Sequence, residues 1–256
     1  MYIDTHAHLY RTYYPDDLEK VVQRAIAADV QRVIMPCVTA SNMAELFEVQ
    51  EKFSEYIFPL AGLHPTEVKQ ETYQEELDTL FSYLQDSRVV GVGECGIDLY
   101  HDKETLLAQQ DAFQQQLTWA RDFNLPLSLH VRNAYNETIA ILNNFRSARL
   151  KGVMHCFSGG IQEARWAVEY GLFLGIGGVI TFKNNQLQNI VKEIGIDHLV
   201  LETDAPFLAP VPYRGKTNES AYIPLIAEKI AAIFNLSVND VMQITTNNAL
   251  SIFNIA

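Results

Sequence analysis

The chain has 256 residues, 48% of them hydrophobic and 20% charged, the balance of a globular domain and not of a disordered or collagen-like chain. No apolar run reaches the roughly 18 residues a membrane span needs, so no membrane association is expected. The net charge of −12 speaks against loose electrostatic attachment to nucleic acid, which leaves a basic footprint; a local positive site stays open, because bound cations dominate the field of a small pocket.

The N-terminus has no basic region followed by an apolar segment, so no signal peptide is expected. Cys37, Cys95 and Cys156 are scattered singly, which argues against a disulfide framework or a cysteine zinc site. All three read as core thiols, and the expected location is the cytoplasm. In chain order, short apolar runs alternate with amphipathic stretches. Strands are predicted to start near Tyr2, Arg32, Ile57, Val89, Leu127, Gly152, Leu172 and His198. From Glu104 to Asp122, Leu106, Phe113, Leu117 and Ala120 share a face at helical spacing, which predicts a helix. A second helix is predicted over Ala221 to Phe234, with Ile226, Ile230 and Ile233 inward. A third runs from Ser237 to Phe253, with Ser237 as N-cap and Asp240 three residues on, an acidic variant of the capping box. Eight βα units in this length predict an α/β fold, a (β/α)8 TIM barrel, as one domain over residues 1–256. No linker or solenoid repeat interrupts it. An open doubly wound sheet is the competing architecture, but no G-x-G-x-x-G follows the first strand.

Barrel enzymes carry their chemistry at the C-terminal ends of the strands. Strand one leads into His6 and His8, strand three into His64, strand four into Glu94, strand five into His130, strand six into His155 and strand eight into Asp204. Residues two apart on a strand share a face, so His6 and His8 are expected to point together into the barrel mouth, with Asp4 below them to fix a histidine tautomer. With His130, His155, Glu94 and Asp204 the site offers six N/O metal ligands. That is too many for one tetrahedral zinc and enough for two divalent metal ions about 3.5–4 Å apart, bridged by Glu94. The SGG at 158–160 and the GIGG at 175–178 read equally as ligand-approach segments or as tight turns.

In order and spacing, HAHL, GLHP, GECGID, LHVRNA, HCFSGG, LETDAPFLAP and RGKTNES together resemble the TatD-type metal-dependent deoxyribonucleases of the amidohydrolase superfamily, over essentially the whole chain. The resemblance implies a two-metal barrel in which His6, His8, Glu94 and Asp204 serve one ion and Glu94, His130 and His155 the other. It implies hydrolysis of phosphodiester bonds in DNA, trimming single strands from the 3′ end with Mg2+ or Mn2+; the histidine-rich set suits Zn2+ equally. Two positions depart from the family pattern: Asn133 stands where aspartate is usual, and Ser220 where proline is usual.

On this reading Asp204 binds metal and takes the proton of the attacking water. His64, Arg132, Arg214, Lys216 and Asn218 are the expected substrate-binding residues, the last three in the loop after strand eight, where barrels often hold phosphate. Glu202, one layer below Asp204, reads equally as a partner of the site or as a buried structural carboxylate. Two other readings compete. Fold does not fix substrate, so an esterase or amidase, such as an aminoacyl-tRNA deacylase, would need much the same site. Superfamily members that bridge their metals with a carboxylated lysine at strand four differ from this chain, which has Glu94 there in a stretch without lysine. A non-catalytic metal-binding protein is the third reading. The expected oligomeric state is a monomer.

Overall fold

The computed structural model describes residues 1–15, 17–183 and 185–255. Its frame is a single eight-stranded sheet made of Tyr2–Asp4 (β1), Val30–Pro36 (β2), Ile57–Ala61 (β3), Gly91–Asp98 (β4), Leu127–Arg132 (β5), Gly152–Met154 (β6), Leu172–Ile176 (β7) and Leu199–Leu201 (β8). Neighbours in sequence are neighbours in the sheet, and every pair is parallel. The ring closes between its ends. Thr5 N donates to Leu201 O at 3.0 Å, Asp204 N to His6 O at 2.9 Å and His8 N to Ala205 O at 2.7 Å.

Among the described residues the helices are Leu18–Ala27 (α1), Met43–Lys52 (α2), Tyr73–Tyr83 (α3), Leu106–Phe123 (α4), Tyr135–Asn143 (α5), Ile161–Tyr170 (α6), Leu187–Ile194 (α7), Ile223–Phe234 (α8) and Val238–Phe253 (α9). The architecture is the (β/α)8 barrel expected from the alternation. Strands at Tyr2, Ile57, Leu127, Gly152 and Leu172 begin where predicted, and Val30, Gly91 and Leu199 lie one or two residues from the expectation. Ser237 caps α9 as predicted, accepting a hydrogen bond from Asp240 N at 3.1 Å. No single helix among the described residues is long and apolar enough to cross a membrane.

Two apolar layers hold the barrel. The larger joins the outer face of the strands to the helices. The smaller gathers Ile3, Ile34, Leu60, Val153 and Val200 from five strands and meets Ala249, Ile252 and Phe253 of α9. Side chains from strands that are not neighbours touch one another only across the barrel interior, so the end of α9 plugs the base. Burying each such side chain contributes about 1.5–3 kcal/mol. With the base filled, the polar chemistry is confined to the opposite mouth.

Candidate metal centre

Glu94 is the hub of the mouth. It lies within β4, where the pairing register against β5 shifts between Val92 and Cys95. Such an irregularity re-aims a side chain out of the regular pleat. The flanking glycines allow it: Gly93 and Gly96 have φ of +153° and +145°, values L side chains rarely adopt. A Cβ on Gly96 would lie 2.0 Å from His130 O, so glycine there lets β4 run close against β5 and brings Glu94 to His130.

The carboxylate faces two sets of imidazoles. Glu94 Oε2 lies 3.2 Å from His6 Nε2 and 3.6 Å from His8 Nε2. Glu94 Oε1 lies 2.9 Å from His130 Nδ1, 3.0 Å from His155 Nε2 and 3.2 Å from His64 Nε2. Asp204, held by a φ of +56° just beyond β8, brings Oδ1 to 3.6 Å from His8 Nε2 and 4.0 Å from His6 Nε2. His6 and His155 stack, with ring centroids 3.6 Å apart. Three triads, His6–His8–Glu94, His6–His155–Asp204 and His64–Glu94–His130, each bring their donor atoms within 4.8 Å of one another.

The electrostatics suit a cation. Burial holds the His6 imidazole down at about 4, which leaves its nitrogen lone pair free near neutral pH. Burial pushes the Glu94 carboxyl up, yet the surrounding imidazoles outweigh it and hold the group well below the usual carboxylate range. Asp204 is lowered in the same way, its burial outweighed by the imidazoles of His8, His155 and His6. Burial also pushes the His155 and His130 imidazoles down, but the carboxylates beside them outweigh it and raise both, so a divalent cation would take the place of their protons. Imidazole and carboxylate together form a donor set for divalent zinc, manganese or iron, so the residues present fit a metal.

Behind the rings stand partners that orient them. Asp98 Oδ2 lies 3.0 Å from His130 Nε2, Ser128 Oγ 3.0 Å from His6 Nδ1 and Thr66 Oγ1 2.7 Å from His64 Nδ1. Glu202 Oε1 lies 3.6 Å from His155 Nδ1 and accepts from Cys156 N at 2.5 Å. Asp98 is fully buried and is fastened to α4, because Gln109 accepts from its backbone N–H and donates to its carbonyl. Asp98 and Ser128 are not among the site residues expected from the sequence. Both carried a signal: Asp98 is four residues beyond Glu94 and Ser128 two before His130, positions that share a strand face.

Other expectations change. Asp4 does not touch a histidine ring; its oxygens accept from Thr203 N, Thr203 Oγ1 and the His6 backbone N–H. The cause is local: β1 ends at Asp4 and the chain bends at Thr5, so the alternation does not run through to His6. Burial raises the Asp4 carboxyl to about 7. Asn218 is fully buried, and its amide donates to Thr203 O at 2.7 Å and Phe207 O at 2.6 Å. It therefore braces the loop after β8 instead of presenting an amide to substrate. Arg132, Arg214 and Lys216 are exposed, and the two guanidinium groups stack 4.4 Å over Tyr100 and Phe182 respectively. Cys37 and Cys95 are core thiols, whereas Cys156 is half-buried at the mouth. The glycines of the 175–178 segment approach the chain itself: a Cβ on Gly175 would lie 2.1 Å from Glu202 Oε2, and one on Gly178 2.2 Å from Leu208 O. Asn133 has a φ of +55°, a conformation asparagine and aspartate both tolerate.

Comparison with known proteins places the chain among metal-dependent hydrolases. Residues 3–254 match the family described as TatD related DNase. The chain is 36% identical over 256 residues to YabD of Bacillus subtilis strain 168, described as an uncharacterized metal-dependent hydrolase, with both chains covered in full. It is 31% identical over 260 residues to the 3′-5′ ssDNA/RNA exonuclease TatD of Edwardsiella piscicida, covering 99% of this chain and 100% of that one. Among solved structures, the TatD homologue YjjV of Escherichia coli K12 superposes with a TM-score of 0.93 at 29% identity, covering 100% of this chain and 98% of the other.

Proposed function

The chain belongs to the TatD-related DNase family, and from that premise we propose that this metal-dependent hydrolase is a nuclease that trims single-stranded DNA from its 3′ end with two divalent cations. The observation that carries the reading is Glu94, whose two oxygens face separate imidazole sets within 3.6 Å. A carboxylate so disposed would bridge two ions. His6, His8 and Asp204 would complete one set of ligands, His130 and His155 the other, with His64 at its edge. Bound there, Mg2+, Mn2+ or Zn2+ would acidify a water and neutralise the charge that develops on phosphorus.

The chain's own groups do the rest. Asp204 has a side-chain exposure of 15% against 3% for Glu94, so solvent reaches it more readily. Its ionised form is favoured by the imidazoles beside it. It would take the proton of the attacking water as general base. Arg132, Arg214 and Lys216 are exposed cations that would hold phosphate oxygens. Support for a nucleic-acid substrate, and for attack from the 3′ end, is the activity named for the Edwardsiella relative. Three free thiols fit a reducing cytoplasm, and a self-contained barrel fits a monomer.

A substrate panel and one variant test the reading. Wild type should hydrolyse single-stranded oligonucleotides with a kcat/KM far above that for aminoacyl-tRNA or dihydroorotate-like cyclic amides. The reverse order would move the site to ester or amide chemistry. Arg214→Ala should raise KM for oligonucleotides severalfold and leave kcat and Tm unchanged, since the residue is exposed. Kinetics identical to wild type would remove Arg214 from the substrate site.

A further inference from the structure

Beside Asp204 the mouth runs into a cavity of about 250 Å3, bounded by the ends of β6, β7 and β8 and the start of α7. Phe157, Val179, Leu187 and Ile190 make most of its wall apolar, with Ser158 and Gln186 among the few polar groups. Pockets for drug-sized ligands run from roughly 300 to 1,000 Å3, so this one is sized for a single ring system and not for a strand. Asp204 and Cys156 form part of the same wall, which puts an occupant next to the reacting group. Glu202 also lines it, but its partnerless Oε2 is buried against Gly175 and closed to an occupant; the polar groups an occupant meets are those of Ser158, Gln186 and Asp204. Nucleobases combine a flat apolar face with hydrogen-bonding edges, the two properties this wall complements.

The charge of the molecule points the same way. At −12 the protein gains little from displacing counterions along a phosphate backbone. A slot that takes a base by its face supplies affinity without regard to sequence. We infer that this cavity is a base-binding pocket that receives one unstacked nucleobase flanking the scissile phosphate, an inference that rests on the nuclease reading of the adjoining centre.

Two variants fill the cavity from α7, away from the metal ligands and their partners: Leu187→Trp and Ile190→Trp, at side chains that line it. Calorimetric titration of the metal-loaded protein with 2′-deoxyadenosine 5′-monophosphate and with 2-deoxyribose 5-phosphate isolates the contribution of the base. Wild type should bind the nucleotide roughly ten- to a hundredfold more tightly than the sugar phosphate. Each variant that keeps the wild-type circular dichroism and metal content should bring the two within twofold. Equal binding of both probes by wild type, or a full preference kept by either folded variant, overturns the pocket. A second arm uses oligonucleotides with abasic residues at the last two 3′ positions, whose KM should rise tenfold or more. Hydrolysis of these at the ordinary KM would sink the pocket and leave the nuclease. A base preference in binding, with no oligonucleotide cut, would sink the nuclease and leave a nucleotide pocket.

Discussion

The groups behind the rings set the protonation of the imidazoles that face Glu94, and Asp98 is the clearest case. His130 turns Nδ1 to Glu94 and Nε2 to Asp98. A carboxylate at the second nitrogen keeps the proton there and leaves the first with its lone pair toward the mouth. Asp98→Asn keeps the size and the acceptor for the Tyr100 and His101 backbone N–H groups, but places an amide N–H opposite Nε2. Metal affinity should fall by roughly ten- to a hundredfold, read by competition with a fluorescent chelator, with Tm shifted little. Wild-type affinity in the variant would show that His130 does not depend on Asp98 for its orientation. At this scale the sequence was informative wherever a rare residue type recurred at strand ends: His6, His8, His64, Glu94, His130, His155 and Asp204 all converge within one mouth. It was less so for groups whose role is set by partners far along the chain. Asn218 looked like a loop amide, and only its burial against Thr203 and Phe207 shows it to be a brace.

Among the elements, β4 decides whether the site assembles. Its glycines carried no reading in the sequence, and the structure gives their reason at Gly96, where the backbone of β5 occupies the place of a side chain. Gly96→Ala combines a clash with His130 O and a positive φ, and should cost about 3 kcal/mol or more. A lowered urea midpoint with an unchanged slope would show it; wild-type stability would mean that β4 and β5 separate freely. Periodicity located eight strands and three helices to within about two residues because each buried stripe repeats over several turns or pleats. It failed at β1, where a bend at Thr5 breaks the alternation that was to align Asp4 with His6. A strand of three residues is too short for period alone to report where it stops.

The whole molecule was the most legible level, since alternating strands and helices over this length leave few architectures other than a closed barrel. Its charge has a consequence for kinetics. Arg132, Arg214 and Lys216 are the cations assigned to phosphate, against a net charge of −12, so three phosphates are neutralised on this reading. For single strands this limits the slope of log(kcat/KM) against log salt to about −2; a slope near −5 would require a basic channel that the charge does not suggest. If Asp204 and the imidazole sets joined by Glu94 form a two-metal centre that shortens single-stranded DNA from the 3′ end, hydrolysis of one oligonucleotide labelled at the 5′ end or at the 3′ end, with Mg2+ or Mn2+, by wild type and by Asp204→Ala at matched protein concentration will show it. Wild type should give a descending ladder from the 5′-labelled strand and labelled mononucleotide at once from the 3′-labelled strand, and the variant neither. Full-length DNA in every lane, with two ions bound per wild-type chain, would contradict the substrate; cleavage by Asp204→Ala at the wild-type rate would contradict the mechanism.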